Sequence, residues 1–76
     1  MNIRQLKVGD RGDLLFHGSK EYGNSSYSLI LTVEKIDGDI ITMREDGASF
    51  GFDIYFSENR WRYGSSAEVI TLTRKL

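Results

Sequence analysis

The chain has no cysteine, no proline, a single histidine and no long apolar run in its 76 residues. Each absence excludes something. Without cysteine there is no disulfide and no thiolate metal site, and a reducing cytoplasm is the expected compartment. With His17 as the sole histidine, no nucleophile triad is signalled. Serines are plentiful, yet none stands in the Gly-x-Ser-x-Gly elbow that such chemistry uses. No stretch approaches the roughly 20 apolar residues that span a bilayer, and residues 1–7 lack the apolar core of a secretory signal. Neither charge sign dominates: ten basic and eleven acidic residues leave a net charge of −1. A domain that draws its affinity from phosphate neutralisation is normally basic, and a DNA mimic would be strongly acidic.

The missing proline also fits a sheet, because proline would interrupt a ladder of backbone hydrogen bonds. Eight glycines supply turns between apolar segments instead. The clearest pattern is Ser49 to Phe56, where Phe50, Phe52, Ile54 and Phe56 alternate with Ser49, Gly51, Asp53 and Tyr55. Side chains alternate across a strand, so this spacing predicts four large apolar groups on the core face of one strand.

Five more segments read as strands. Residues 2–8 form a short helical turn or lead-in, with Ile3, Leu6 and Val8 packed onto the body. Val8-Gly9-Asp10 turns into a first strand, Asp13 to His17, with Leu14 and Phe16 inward. Gly18 to Ser26 reads as a long polar loop. Tyr27 to Ile36 is the second strand, with Tyr27, Leu29, Leu31 and Val33 on one face; Ile36 breaks the phase, which predicts a bulge near Glu34-Lys35. Asp37-Gly38-Asp39 closes a hairpin onto Ile40 to Arg44, and Glu45-Asp46-Gly47 is the next turn. Ser57-Glu58-Asn59 leads to Arg60-Trp61-Arg62-Tyr63, and Gly64-Ser65-Ser66 to a last strand, Ala67 to Leu76. There Ile70, Leu72 and Leu76 share one face and Val69, Thr71 and Thr73 the other.

The expectation is one all-β domain over residues 1–76, a small antiparallel barrel or roll of five to six strands. SH3-like topology is preferred to OB-like because a long early loop precedes a tight meander. Val8-Gly9-Asp10, Gly18 and the run Leu31 to Asp39 are similar in rhythm to KOW-type small barrels over less than half of the chain. The polar Gly9 to Asp13 segment and the insert at 18–26 depart from that pattern, so no family is assigned.

Chemistry-bearing motifs are sparse. The pairs Asp10 and Asp13, Asp37 and Asp39, and Glu45 and Asp46 sit beside glycines as turn formers do, without the spacing of a calcium loop. Gly9-x-x-Gly12 and Gly47-x-x-x-Gly51 are not phosphate fingerprints. Asp53 with Glu58 or Glu68 could place two acids on one sheet face, and nothing singles that pairing out. No catalytic residue, metal ligand or cofactor is expected, and the chain reads as a non-enzyme.

Binding residues are better signalled. Arg60, Trp61, Arg62 and Tyr63 are of the types that dominate interfaces. Trp61 and Tyr63 read first as core opposite Phe52 and Ile54, with the arginines outward. Tyr22 and Tyr27, beside Lys20 and Glu21, border the polar loop as recognition tyrosines do. Tyr55 is the one bulky group on the polar face of its strand, able to form an aromatic-basic surface with Arg44, Arg60 or Arg62. The leading reading is a non-catalytic protein-binding module or small regulatory factor in the cytoplasm. The alternatives are a single-stranded nucleic-acid-binding barrel and a domain that self-associates as a homodimer. No membrane partner is expected.

Overall fold

Six strands form along the apolar alternations: β1 (Arg11–Ser19), β2 (Gly23–Asp37), β3 (Ile40–Glu45), β4 (Phe52–Ser57), β5 (Arg60–Tyr63) and β6 (Ala67–Lys75). They come from a computed structural model that describes residues 2–19 and 23–76. Each strand pairs antiparallel with its neighbour in sequence, and β6 returns to pair with β1, so the sheet closes into a barrel. Every strand then has a neighbour on both sides, although β2 pairs with β1 over residues 23–32 and with β3 only over residues 31–37, so its first half keeps one side outside the ladders.

The inner face is filled by Leu14, Phe16, Leu31, Val33, Ile41, Met43, Ile54 and Leu72, all fully buried. Burying each such side chain stabilises the fold by about 1.5–3 kcal/mol. In a chain this short these few residues carry most of the hydrophobic driving force.

Bulges decide which residues point inward. The register between β2 and β3 shifts between Val33 and Lys35, where the phase break at Ile36 predicts it. Two further shifts lie in the β1–β6 ladder: Phe16 faces Val69, Leu15 faces Thr71, Leu14 faces Leu72 and Asp13 faces Arg74. Ile70 and Thr73 are thus extra residues with no β1 partner. Val69 and Leu72, three apart, both reach the core, whereas Ile70 is exposed. The expected facing of β6 is corrected accordingly: simple alternation fails where one strand carries bulges.

Other expectations also change. The 18–26 segment is not a long loop, because β1 and β2 continue into it and pair as far as Ser19 opposite Gly23. Val8 is 62% exposed and lies outside the core cluster, while Ile3 and Leu6 are buried as expected. Phe50 is 86% exposed. The chain bends at Ser49 and Phe50, and β4 starts only at Phe52. Between them, Gly51 passes so close to β3 that an added Cβ would lie 2.8 Å from the Met43 carbonyl oxygen. The alternation of Ser49 to Phe56 therefore holds from Phe52 onward only.

One end of the barrel is sealed. A 3-10 turn, Ile3–Gln5, is held by reciprocal capping bonds. Arg4 N–H donates to Asn2 Oδ1 at 2.9 Å, and Asn2 N–H donates to Gln5 Oε1 at 3.1 Å. Ile3 and Leu6 plug the end. Arg4 lies over the Trp61 and Phe56 rings, 4.8 and 5.8 Å from their centroids. Its guanidinium donates to the Gly38 carbonyl and to Asp39 Oδ1, both at 2.6 Å, which fastens the plug to the β2–β3 turn.

Asp10 fastens the same region to the last strand. Its Oδ2 accepts from Lys7 N–H at 2.9 Å and sits 3.2 Å from Lys75 Nζ. The backbone bond from Lys7, then the bond and charge of Lys75, hold the Asp10 carboxyl below its usual 3.8, against an opposing desolvation effect. A carboxyl whose folded value is depressed stabilises the fold above the ordinary value and loses that contribution as pH falls through the folded one. Asp10→Asn is therefore expected to flatten the decline in urea midpoint below pH 3.8; an unchanged acid limb would place the sensitivity elsewhere. The β4–β5 turn offers a second test. Glu58 and Asn59 have φ of 53° and 62°, a type I′ geometry that favours Asn-Gly over Glu-Asn. Replacing the pair by Glu58→Asn and Asn59→Gly is expected to raise stability by about 1 kcal/mol, read as a higher urea midpoint at unchanged slope.

Candidate functional site

At the end opposite the plug, no segment among the described residues covers the barrel. β1 turns into β2 there, and β5 into β6. The inward side chains of the last turns of the barrel are aromatic: Tyr27 stacks on Phe16 with ring centroids 5.5 Å apart and planes 6° from parallel. Tyr63 meets Phe16 edge-on at 6.0 Å and Phe52 at 4.7 Å. Above this layer lies an apolar depression of about 460 Å³ lined by Ser25, Tyr27, Leu29 and Tyr63. Its walls come from β2 and β5, on opposite sides of the barrel, so it spans the mouth. Pockets of roughly 300–1,000 Å³ with apolar walls and few polar groups are the usual form of a binding site.

The residues expected to bind are dispersed by the fold. Trp61 is buried, 8% exposed, with its ring 5.3 Å from that of Phe56, its cross-strand partner. It belongs to the sealed end and to the core. Tyr63 is half-buried and lines the mouth. Arg60 and Arg62 point outward on β5. Arg62 makes long contacts of 3.5 Å to Glu58 and to the Ser57 carbonyl, and exposed pairs of this kind contribute about 0–1 kcal/mol. Tyr55 stands beside Arg62 in the outer ladder, its hydroxyl donating to the Gly64 carbonyl at 2.8 Å. Arg44 pairs with Glu34 at 3.1 Å, away from Tyr55. Tyr22, Lys20 and Glu21 lie outside the described residues.

One mouth residue escapes the sequence reading. Leu29 joins Tyr27, already a candidate, at the mouth because β2 extends past the barrel's core layer, which simple alternation cannot reveal. His17 lies on β1, the strand expected to hold it, facing outward, with Nδ1 3.0 Å from Ser26 Oγ, between Ser26 on β2 and Glu68 on β6. Ser26, His17 and Glu68 thus form one row, but no bond joins Glu68 to the imidazole among the described residues, so the orienting contact of a triad is missing. Asp53 accepts from the Thr42 hydroxyl at 2.6 Å, a cross-strand pair on the outer wall. Among the described residues no cluster of three or more potential metal ligands occurs.

No protein-family model matches the chain, and neither a curated protein nor a solved structure shows significant similarity to it.

The contrast between Trp61 and Phe50 is directly testable. Trp61→Ala is expected to cost about 3–5 kcal/mol, as loss of a buried tryptophan does. Phe50→Ser is expected to change stability by less than about 0.5 kcal/mol, as for an exposed side chain. Chemical denaturation of both variants measures the two values.

Proposed function

We propose that this chain is a non-catalytic binding module that seats an apolar or aromatic side chain of a protein partner in the open mouth of its barrel. The observation that carries this reading is the asymmetry of the two ends. One is plugged by Ile3 and Leu6 and latched by Arg4; the other leaves Tyr27, Leu29 and Tyr63 around an unfilled apolar depression. Tyrosines at such a rim offer contact area at low entropic cost together with a hydrogen-bonding end. The strictly sequential strand order supports an SH3-like rather than an OB-like topology, since the latter is a Greek key. The 18–26 segment, largely paired between β1 and β2, does not bear on that choice.

Nucleic-acid binding is the second reading, favoured by the adjacency of Tyr55 and Arg62 on the outer wall. The net charge of −1 weakens it. Self-association is the third reading; closure of β6 on β1 removes the terminal edges and leaves the first half of β2, paired only with β1, as the segment a second copy could extend.

A selection of displayed random peptides on the immobilised domain tests the proposal. Enriched peptides are expected to share a Leu, Phe or Trp anchor. Their binding should fall at least about tenfold with Leu29→Glu, since burying a carboxylate without a partner is costly, and with Ser25→Trp, which fills the mouth without removing a core residue. Circular dichroism confirms that each variant is folded. Enrichment of no anchor, or binding indifferent to both folded variants, overturns the reading.

A further inference from the structure

A second concavity adjoins the mouth on the outer side of the β5–β6 hairpin. It measures about 220 Å³, and its polar lining comes from His17, Arg60, Arg62, Ser65, Ser66 and Glu68. Gly18 makes it possible. Its φ of +81° and missing Cβ let β1 end against the β5–β6 turn, where an added Cβ would lie 3.2 Å from the Ser66 carbonyl oxygen.

The charges in this cleft are not matched. Arg62 faces Glu68 across β5 and β6, and Glu68 faces His17 across β6 and β1. The lining thus carries two guanidiniums and one carboxylate, with Glu58 outside it, so one positive charge remains among the lining residues when His17 is neutral. Arg62 has long contacts of 3.5 Å to the Ser57 carbonyl and to Glu58, the latter 81% exposed. Arg60 has no partner among the described residues. The His17 ring is oriented by its contact with Ser26 through Nδ1, which leaves Nε2 as its other polar atom.

Mouth and cleft share a wall. Tyr63, which lines the mouth, is followed by the turn residues Gly64, Ser65 and Ser66, and preceded by Arg62, about 3.8 Å away between Cα atoms. Successive side chains on a strand point to opposite faces, so Tyr63 serves the apolar depression and Arg62 the cationic cleft. A segment that leaves the mouth over this rim meets Arg62 first and Arg60 two residues further along β5.

We infer that the partner is an acidic protein segment, with an apolar anchor held in the mouth and a neighbouring carboxylate held against Arg62 and Arg60. This rests on the mouth being a partner-binding site. The charge of the cleft, rather than the apolar depression, selects the flanking residues. Guanidiniums suit this task because their forked donors match both oxygens of a carboxylate.

Fluorescein-labelled peptides with one Phe flanked by Asp and Glu, or by Lys, test the inference against the intact domain, with a single-stranded oligothymidylate as competitor. The acidic peptide is expected to bind more tightly than the basic one, with an affinity that declines as salt rises. Arg60→Ala should weaken it about two- to fivefold, the size of an exposed charge contact. Arg60→Lys should restore most of the loss. Glu68→Gln, which removes the offsetting carboxylate, should strengthen binding by a similar factor, an effect that mere loss of packing would not produce. Equal binding of both peptides, each still lost with Leu29→Glu, overturns the acidic preference and leaves the mouth reading standing. No binding of either peptide overturns both. Displacement of the acidic peptide by oligothymidylate would assign the cleft to nucleic-acid phosphate instead and overturn the inference.

Discussion

The pairing of β6 with β1 is the constraint on which the rest of the molecule depends. It turns a six-stranded meander into a closed barrel and removes the two edges an open sheet would have. It requires two bulges in β6, at Ile70 and Thr73, and those bulges bring Val69 and Leu72 onto the inner face beside Phe16 and Leu14. Closure brings the end of β1 against the β5–β6 turn, which creates the cationic cleft. With β2 and β5 on opposite sides, it also makes the open end a pocket rather than a groove.

The two ends differ for a physical reason. At the plugged end, the chain before β1 supplies Ile3 and Leu6, and Arg4 reaches the β2–β3 turn and covers the Trp61–Phe56 pair. At the open end no comparable segment covers the last ring of side chains among the described residues. Tyrosine suits such a position, because its ring packs on Phe16 and Phe52 while its hydroxyl tolerates water. The aromatic layer thus serves as the top of the core and the floor of the proposed site.

Much of the fold was legible in the sequence. The turns at Gly38, Gly47 and Gly64, the β5 strand from Arg60 to Tyr63, the bulge near Glu34-Lys35 and the burial of Leu14, Phe16 and Ile54 all follow from local patterns. The errors share one origin. Phe50 and Ile70 are apolar and in phase with their neighbours, yet exposed. Their fate depends on where a neighbouring strand begins pairing, and alternation within one segment carries no information about that. The polar run at 18–26 misled for the same reason: backbone pairing between β1 and β2 continues through residues whose side chains show no strand preference.

The candidate site was less legible. Tyr63, Arg60 and Arg62 stand out by residue type, but type alone could not separate them from Trp61, which the fold buries. What the sequence by itself determined is the class: antiparallel strands, glycine turns, and an apolar set large enough for one small core. Those are consequences of period-two patterning and turn chemistry, which act over a few residues. Tertiary structure alone decided the closure, the inward turn of Val69, the exposure of Phe50, and the placing of Tyr27, Leu29 and Tyr63 around one mouth. Those depend on register between segments far apart in the chain, and register is set only when all six strands compete for the same interior.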